Sequence, residues 1–128
     1  MSVKYTIREK RNPLNPNQPK KWYANAKSAG DTTLSTLSKE IAARSTVSPV
    51  DTQAILVTLT EVLVENLANG RIVRLGDFGA FQVSIGSTGA ETEAKFNASM
   101  IKTKKVTFRP GIDLKEMINN LKFEKYQG

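Results

Sequence analysis

An α+β chain is expected from three features of the sequence. Apolar and polar residues alternate from Val3 to Arg8 and again from Met100 to Arg109, the period of half-buried strands. Apolar residues recur at helical spacing in the stretches 33–46, 48–69 and 113–121. Between these patterns lie turn-forming segments rich in Pro, Asn and Gly.

The first 30 residues read as a β-hairpin with a long loop. Val3, Tyr5 and Ile7 alternate with Lys4, Thr6 and Arg8. The loop from Arg11 to Lys20 carries three prolines and three asparagines, which prevent a helix. Lys21 to Lys27 is the expected return strand, with Trp22, Ala24 and Ala26 on one face, and Ser28-Ala29-Gly30 ends it.

A helix is expected from Asp31 or Thr33, either of which can cap it, to a point before Val47. Leu34, Leu37 and Ile41 form its apolar stripe. The next helix has strong start signals: Ser48 as N-cap, Pro49 at the first helical position and Asp51 three residues after the cap. It runs to about Asn69, where Gly70 suits the left-handed position after a helix. Its apolar set is wide. Ile55, Leu56, Leu59, Val62, Leu63 and Leu67 cover about 140° of the helix, and Val57 and Val64 lie outside that arc. One small chain cannot easily cover a helix on two sides, whereas a second copy can, so an obligate homodimer is expected. Ile55, Leu59, Val62 and Leu63 are its expected core, with Phe78 and Phe81 from the following turn.

Two strands come next, Arg71 to Leu75 and Ala80 to Ile85, joined through Gly76-Asp77-Phe78-Gly79. Residues 86–99 are polar, small and weakly patterned. The strand from Met100 to Arg109 puts Val106 and Phe108 on one face and Lys105, Thr107 and Arg109 on the other. A last helix is read from Asp113 as cap, Glu116 three residues later, and the stripe Leu114, Met117, Ile118 and Leu121.

Composition narrows the chemistry. The 128 residues suit about one domain, with 39% hydrophobic and 24% charged residues. There is no Cys and no His, so thiolate or imidazole metal sites, disulfides and the usual general base are excluded. No apolar run approaches the ~20 residues of a membrane span and no signal-peptide pattern opens the chain, so a soluble, cytoplasmic protein is expected. Catalysis without His or Cys would need a Ser–Lys or carboxylate-pair site. Glu91 and Glu93 sit on an expected exposed segment, and no phosphate-cradling glycine–lysine loop exists. A non-enzyme with no metal, no cofactor and no small-molecule substrate is the expectation.

The net charge of +7 is unevenly spread. Residues 1–30 hold seven bases against Glu9 alone, 31–70 hold two bases against five acids, and 71–128 hold ten against six. Lys102, Lys104, Lys105 and Arg109 meet no acid before Asp113. Basic flanks around an acidic middle point to a polyanion partner.

The order of these elements resembles the bacterial HU/IHF histone-like proteins over residues 33–122. Gly76 to Phe81 is similar to that family's G-F-G-x-F turn, with Asp77 inserted or replacing a proline, and Phe108-Arg109-Pro110-Gly111 to its F-[KR]-P-G. Residues 82–107, between Phe81 and Phe108, are about as long as the family's DNA-embracing arm. The basic hairpin in front resembles the N-terminally extended, Bacteroidetes-type branch. The resemblance implies an intertwined dimer: a two-helix body, an antiparallel sheet with a β-ribbon arm at about 82–107, and a short C-terminal helix. The extra hairpin at 1–30 would precede an HU-like domain at 31–128.

In function the resemblance implies architectural, non-sequence-specific binding of double-stranded DNA in the bacterial nucleoid, with RNA left open as a ligand. The expected phosphate contacts are Lys95, Lys102, Lys104, Lys105 and Arg109 along the arm, Lys115 on the last helix, and Arg8, Lys10, Arg11, Lys20 and Lys21 on the hairpin. Arg71 and Arg74 are weaker choices, with Glu61 or Glu65 as alternative partners. The sequence also departs from the family. Its arm has no proline to intercalate, Ser84, Gly86 and Ser87 stand where arginines are usual, and Glu91 and Glu93 lie near the tip. Phe96 or Met100 could replace the wedge or pack across the ribbon, and Pro13 of Arg11-Asn12-Pro13 is a displaced alternative. Trp22 and Tyr23 offer rings for base stacking, although alternation assigns Trp22 to a core. The competing function is an HU-fold dimeric scaffold for protein partners or RNA, with DNA bending lost.

Overall fold

The computed structural model describes residues 1–128. Along the chain run β1 (Val3–Lys10), β2 (Lys21–Lys27), α1 (Leu34–Ala43), α2 (Pro49–Ala68), β3 (Val73–Arg74), β4 (Gly79–Ser87), β5 (Ile101–Pro110), α3 (Ile112–Asn119) and β6 (Phe123–Lys125). Two compact units result, Met1–Thr33 with Ile118–Gly128, and Leu34–Met117.

In the first unit β1 and β2 pair antiparallel from Lys4↔Lys27 to Lys10↔Lys21, as the alternation predicts. β6 has no counterpart in the sequence-based expectation. It pairs parallel to β1, Val3 with Phe123 and Tyr5 with Lys125, giving the order β2-β1-β6. Residues 118–128 thus join the hairpin, whereas the sequence groups them with residues 31–117. One face of this sheet is apolar, gathering Val3, Tyr5, Ala24, Ala26 and Phe123 around a shallow hollow. Trp22 falls on the same face but is 64% exposed, not the core residue expected. Alternation tells which face a residue takes, not what covers that face.

In the second unit α2 begins as predicted. The Ser48 hydroxyl accepts the Asp51 N–H at 3.1 Å, Pro49 opens the helix, and Gly70 beyond its end has φ +79°. α1 behaves differently. Its stripe of Leu34, Leu37 and Ile41 remains exposed, and its most buried residue is Ser38, 1% exposed. On α2 the most buried residue is Thr52, at 3%. Small side chains let two helix backbones come close. Each hydroxyl is satisfied within its own helix, Ser38 donating to Leu34 O at 2.7 Å and Thr52 to Ser48 O at 2.8 Å.

The second sheet has the order β3-β4-β5 and is antiparallel throughout. β3 is shorter than Arg71 to Leu75 because Leu75 already belongs to the turn, its N–H donating to Gly79 O at 2.9 Å. Gly76 holds φ +54° there, which a side chain would resist. Asp113 is not the cap of α3 but lies in its first turn. Gly111 O accepts the Lys115 N–H at 3.1 Å, while Gly111 and Asp113 donate their N–H groups to Phe78 O and Asp77 O at 2.7 and 3.1 Å. The two glycine-bearing motifs of the sequence are therefore stitched backbone to backbone. Above them Phe108 packs on Phe81 and Phe78, with ring centres 4.7 and 5.7 Å away.

No apolar side chain is buried anywhere in the chain. On α2, Leu56, Leu63 and Leu67 are half-buried, but Leu59, Val62 and Ile55 (58% exposed) line an open groove with Ala54 and Thr58. Val50, Val57 and Val64 are exposed on another side of the helix. Of the other residues expected in a dimer core, Phe78 is exposed and Phe81 half-buried.

Candidate nucleic-acid interface

β4 and β5 continue past the short β3 as a two-stranded ribbon, paired from Gly79↔Pro110 to Ser87↔Ile101. Successive side chains alternate between its faces, and this divides the basic residues expected to act together. Arg109, Thr107, Lys105 and Thr103 of β5 share one face with Ala80, Gln82, Ser84 and Gly86 of β4. The β4 side chains opposite the bases are small, so long basic side chains can lie across the strand. Where Gly86 faces Thr103, a Cβ would meet the Thr103 hydroxyl.

Lys104 belongs to the other face, in line with Val106 and Phe108 and opposite Ile85. Lys102 falls at a bulge between Gly86 and Ser87, where β5 has one residue more than β4. Beside Lys104 this face is apolar and open, with Ile85 61% and Val106 59% exposed. Beyond the ladder, short 3-10 turns at Glu93–Lys95 and Ala98–Met100 close the tip. There Lys95 forms an exposed ion pair with Glu91 at 3.2 Å, which reduces its value as a phosphate ligand. Phe96 is exposed and Met100 half-buried.

Arg74 departs from its suggested pairing with acidic neighbours. It forms no ion pair with Glu61 or Glu65. Through β3 it faces Ala80, which faces Arg109 on the opposite side, so the two guanidinium-bearing strands flank one alanine. Both arginines line a hollow at the ribbon base with Gly76, Gly79 and Gly111. Arg71 instead donates to Asn66 Oδ1 at 3.2 Å. Lys115 is exposed on α3.

On the hairpin, Arg8, Lys10 and Lys21 share a sheet face, and Arg11, Lys20 and Pro13 are exposed in the loop. The one carboxyl with a displaced pKa is Glu124, held below the ordinary range by hydrogen bonds from Lys4 and Ser2 and by the Lys4 charge. No group of acidic side chains is placed to hold a metal ion, and no helix is long and apolar enough to cross a membrane.

Over residues 1–125 the chain matches HU-HIG, the family of HU domains fused to a wHTH, Ig or glycine-rich motif. It is an HU-HIG family member. The match takes in the N-terminal hairpin, which lies outside the stretch that carries the HU resemblance in the sequence. In fold this HU-HIG chain is similar to a candidate bacterial DNA-binding protein from Bacteroides vulgatus ATCC 8482, known from a crystal structure. The TM-score is 0.66 at 14% identity, over 97% of this chain and 47% of that one. The HU-HIG chain thus spans about half the length of that relative. No curated protein matches it.

Proposed function

We propose that this HU-HIG chain binds double-stranded DNA architecturally, without sequence specificity, as a homodimer in the bacterial nucleoid, where it condenses DNA. The observation that carries the proposal is the one-sided basic face of the β4–β5 ribbon. Arg109 and Lys105 follow one another along it with small residues opposite, Arg74 of β3 lies beside Arg109 across Ala80, and no acid is among them. Such a face offers contacts to phosphates, which fix a protein on DNA without carrying sequence information. Lys102 and Lys104 at the bulge and on the second face, Lys115 on α3, and Arg8, Lys10, Arg11, Lys20 and Lys21 on the hairpin add further phosphate ligands.

Surface area supports the dimer. The chain exposes 10846 Å². A folded monomer of this mass exposes about 6,700 Å², and two separate units of these sizes together about 8,000 Å². An obligate interface takes about 1,000–2,500 Å² from each chain, and the excess is large enough to supply it. A second copy seated on the α2 groove would supply the missing cover.

Without a proline at the tip, phosphate contact rather than sharp kinking carries the affinity, and Phe96 is the exposed side chain placed to serve as a wedge. A salt titration of duplex binding tests the proposal. Neutralising about six phosphates gives a log–log slope of about −5. A flat salt response, with tight binding to a protein partner instead, would favour the scaffold. That second reading draws on the open apolar face at Ile85 and Val106 and on the Glu91–Lys95 pair at the tip.

A further inference from the structure

We infer that the β2-β1-β6 sheet carries a second site, on the face opposite Trp22, which takes an unpaired nucleic-acid strand with Tyr23 as its stacking platform. The inference shares only its class of ligand with the proposed duplex binding and uses none of the ribbon.

The register sets out four cross-strand rows on this face: Lys10 with Lys21, Arg8 with Tyr23, Thr6 with Asn25, and Lys4 with Lys27. Two of the rows place lysine directly opposite lysine, an arrangement that destabilises a sheet. Lysines on an edge strand guard against aggregation, but that role does not require bases on both strands gathered on one face. Glu9, the hairpin's own acid, falls on the other side beside Trp22. Glu124 is the acid on this face, and Lys4 already holds it. Lys27 lies 5.2 Å from the ring centre of Tyr126. Arg8, Lys10 and Lys21 are left with no ion pair. A polyanion laid along the rows would relieve their mutual repulsion.

Tyr23 decides which polyanion. Its ring is 47% exposed, opposite Arg8 and two residues from Lys21. A duplex keeps its bases stacked inside and presents phosphates outward, so it has no use for an aromatic face among bases. An unpaired strand uses both, its backbone on the cations and one base on the ring. Lys10 and Lys21 extend the site into a small hollow with Asn12 and Gln18 of the loop. The four rows span about 20 Å, room for a few nucleotides.

Fluorescence anisotropy of the full chain with a short labelled oligothymidylate, and separately with a duplex, tests this. Oligothymidylate binds the wild type in dilute buffer. Tyr23→Ala weakens that binding about tenfold or more, within what stacking on one base is worth, while Tyr23→Phe retains it. Arg8→Ala lowers the single-strand salt slope by about 0.7. Lys39→Ala, on α1, leaves oligothymidylate affinity unchanged. If duplex binding is absent but Tyr23-dependent oligothymidylate binding is present, the ribbon proposal falls and this site stands. No oligothymidylate binding, or a Tyr23→Ala chain that binds as tightly as wild type, overturns it. Equal loss of duplex and single-strand binding in Tyr23→Ala overturns the assignment to an unpaired strand.

Discussion

Arg74 and Arg109 flank Ala80 on one face of the β3-β4-β5 sheet, two strands apart and far apart in sequence. Adjacent strands lie about 4.8 Å apart, so the two backbones are roughly 10 Å from each other with only a methyl group between their side chains. Neither guanidinium has a carboxylate partner, so both are available to phosphates along one backbone.

Each arginine is therefore expected to make one sequence-independent phosphate contact. Arg74→Ala or Arg109→Ala weakens duplex binding equally across sequences and lowers the salt slope by about 1, and the double variant lowers it by about 2. Binding isotherms at several salt concentrations check this. A single variant with an unchanged slope would remove that arginine from the interface.

Gly111 is expected to be intolerant of any side chain. A Cβ there would run into the backbone carbonyl of Asp77, in the segment whose carbonyls accept the Gly111 and Asp113 N–H groups. Backbone cannot swing aside as a long side chain can. Gly111→Ala should cost about 1–3 kcal/mol and loosen the junction between the turn and α3. Gly89 has open space around its would-be Cβ, and Gly89→Ala should be close to neutral. Thermal melts of the two variants side by side give the comparison.

Features set by neighbouring residues were legible in the sequence. Ser48, Pro49 and Asp51 fix the start of α2 within four residues, and the alternation around Val83 and Val106 gives the ribbon its two faces. What depends on distant register was not. β6 has three residues and pairs with a strand about 120 residues earlier, so no local pattern announces it. Arg74 looks like a partner for nearby glutamates until β3 is seen beside Ala80. The apolar stripe of α1 misleads for a different reason. Leu34, Leu37 and Ile41 are spaced for burial, but α1 turns Ser38 inward within its own chain. Apolar spacing marks a surface to be covered without naming the molecule that covers it.

Acid should loosen β6. The Glu124 pKa is depressed in the folded chain by hydrogen bonds from Lys4 and Ser2 and by the Lys4 charge. A carboxyl with a lowered folded pKa contributes stability that is present above its unfolded pKa and lost as pH falls through the folded one. The loss therefore begins below the ordinary value of 4.5 and is complete only under more acid conditions. Since the pair is exposed, the effect is local. The protection of the Tyr126 amide, which donates to Tyr5 O, relative to its intrinsic exchange rate at each pH, should fall over that window. Glu124→Gln should abolish this acid-induced loss of protection, and a loss unchanged in that variant would assign it to another group.

The open groove on α2 bears the heaviest consequence. Ile55, Leu59 and Val62 face it, Val57 and Val64 lie on another side of the helix, and the chain buries no apolar side chain by itself. A helix apolar on several sides is stable in water only when those sides are covered. If a second copy does this, folding and association are one equilibrium, and the melting temperature must rise with protein concentration. Leu59→Glu would place an unpaired charge in the covered groove, at a cost of several kcal/mol. Sedimentation should then show the dimer lost and the cooperative melt lost with it. Val64→Glu should do the same if the partner wraps both sides, as an intertwined arrangement requires. A Leu59→Glu chain with wild-type mass and melting temperature would mean that the groove faces solvent, and the dimer would have to be abandoned.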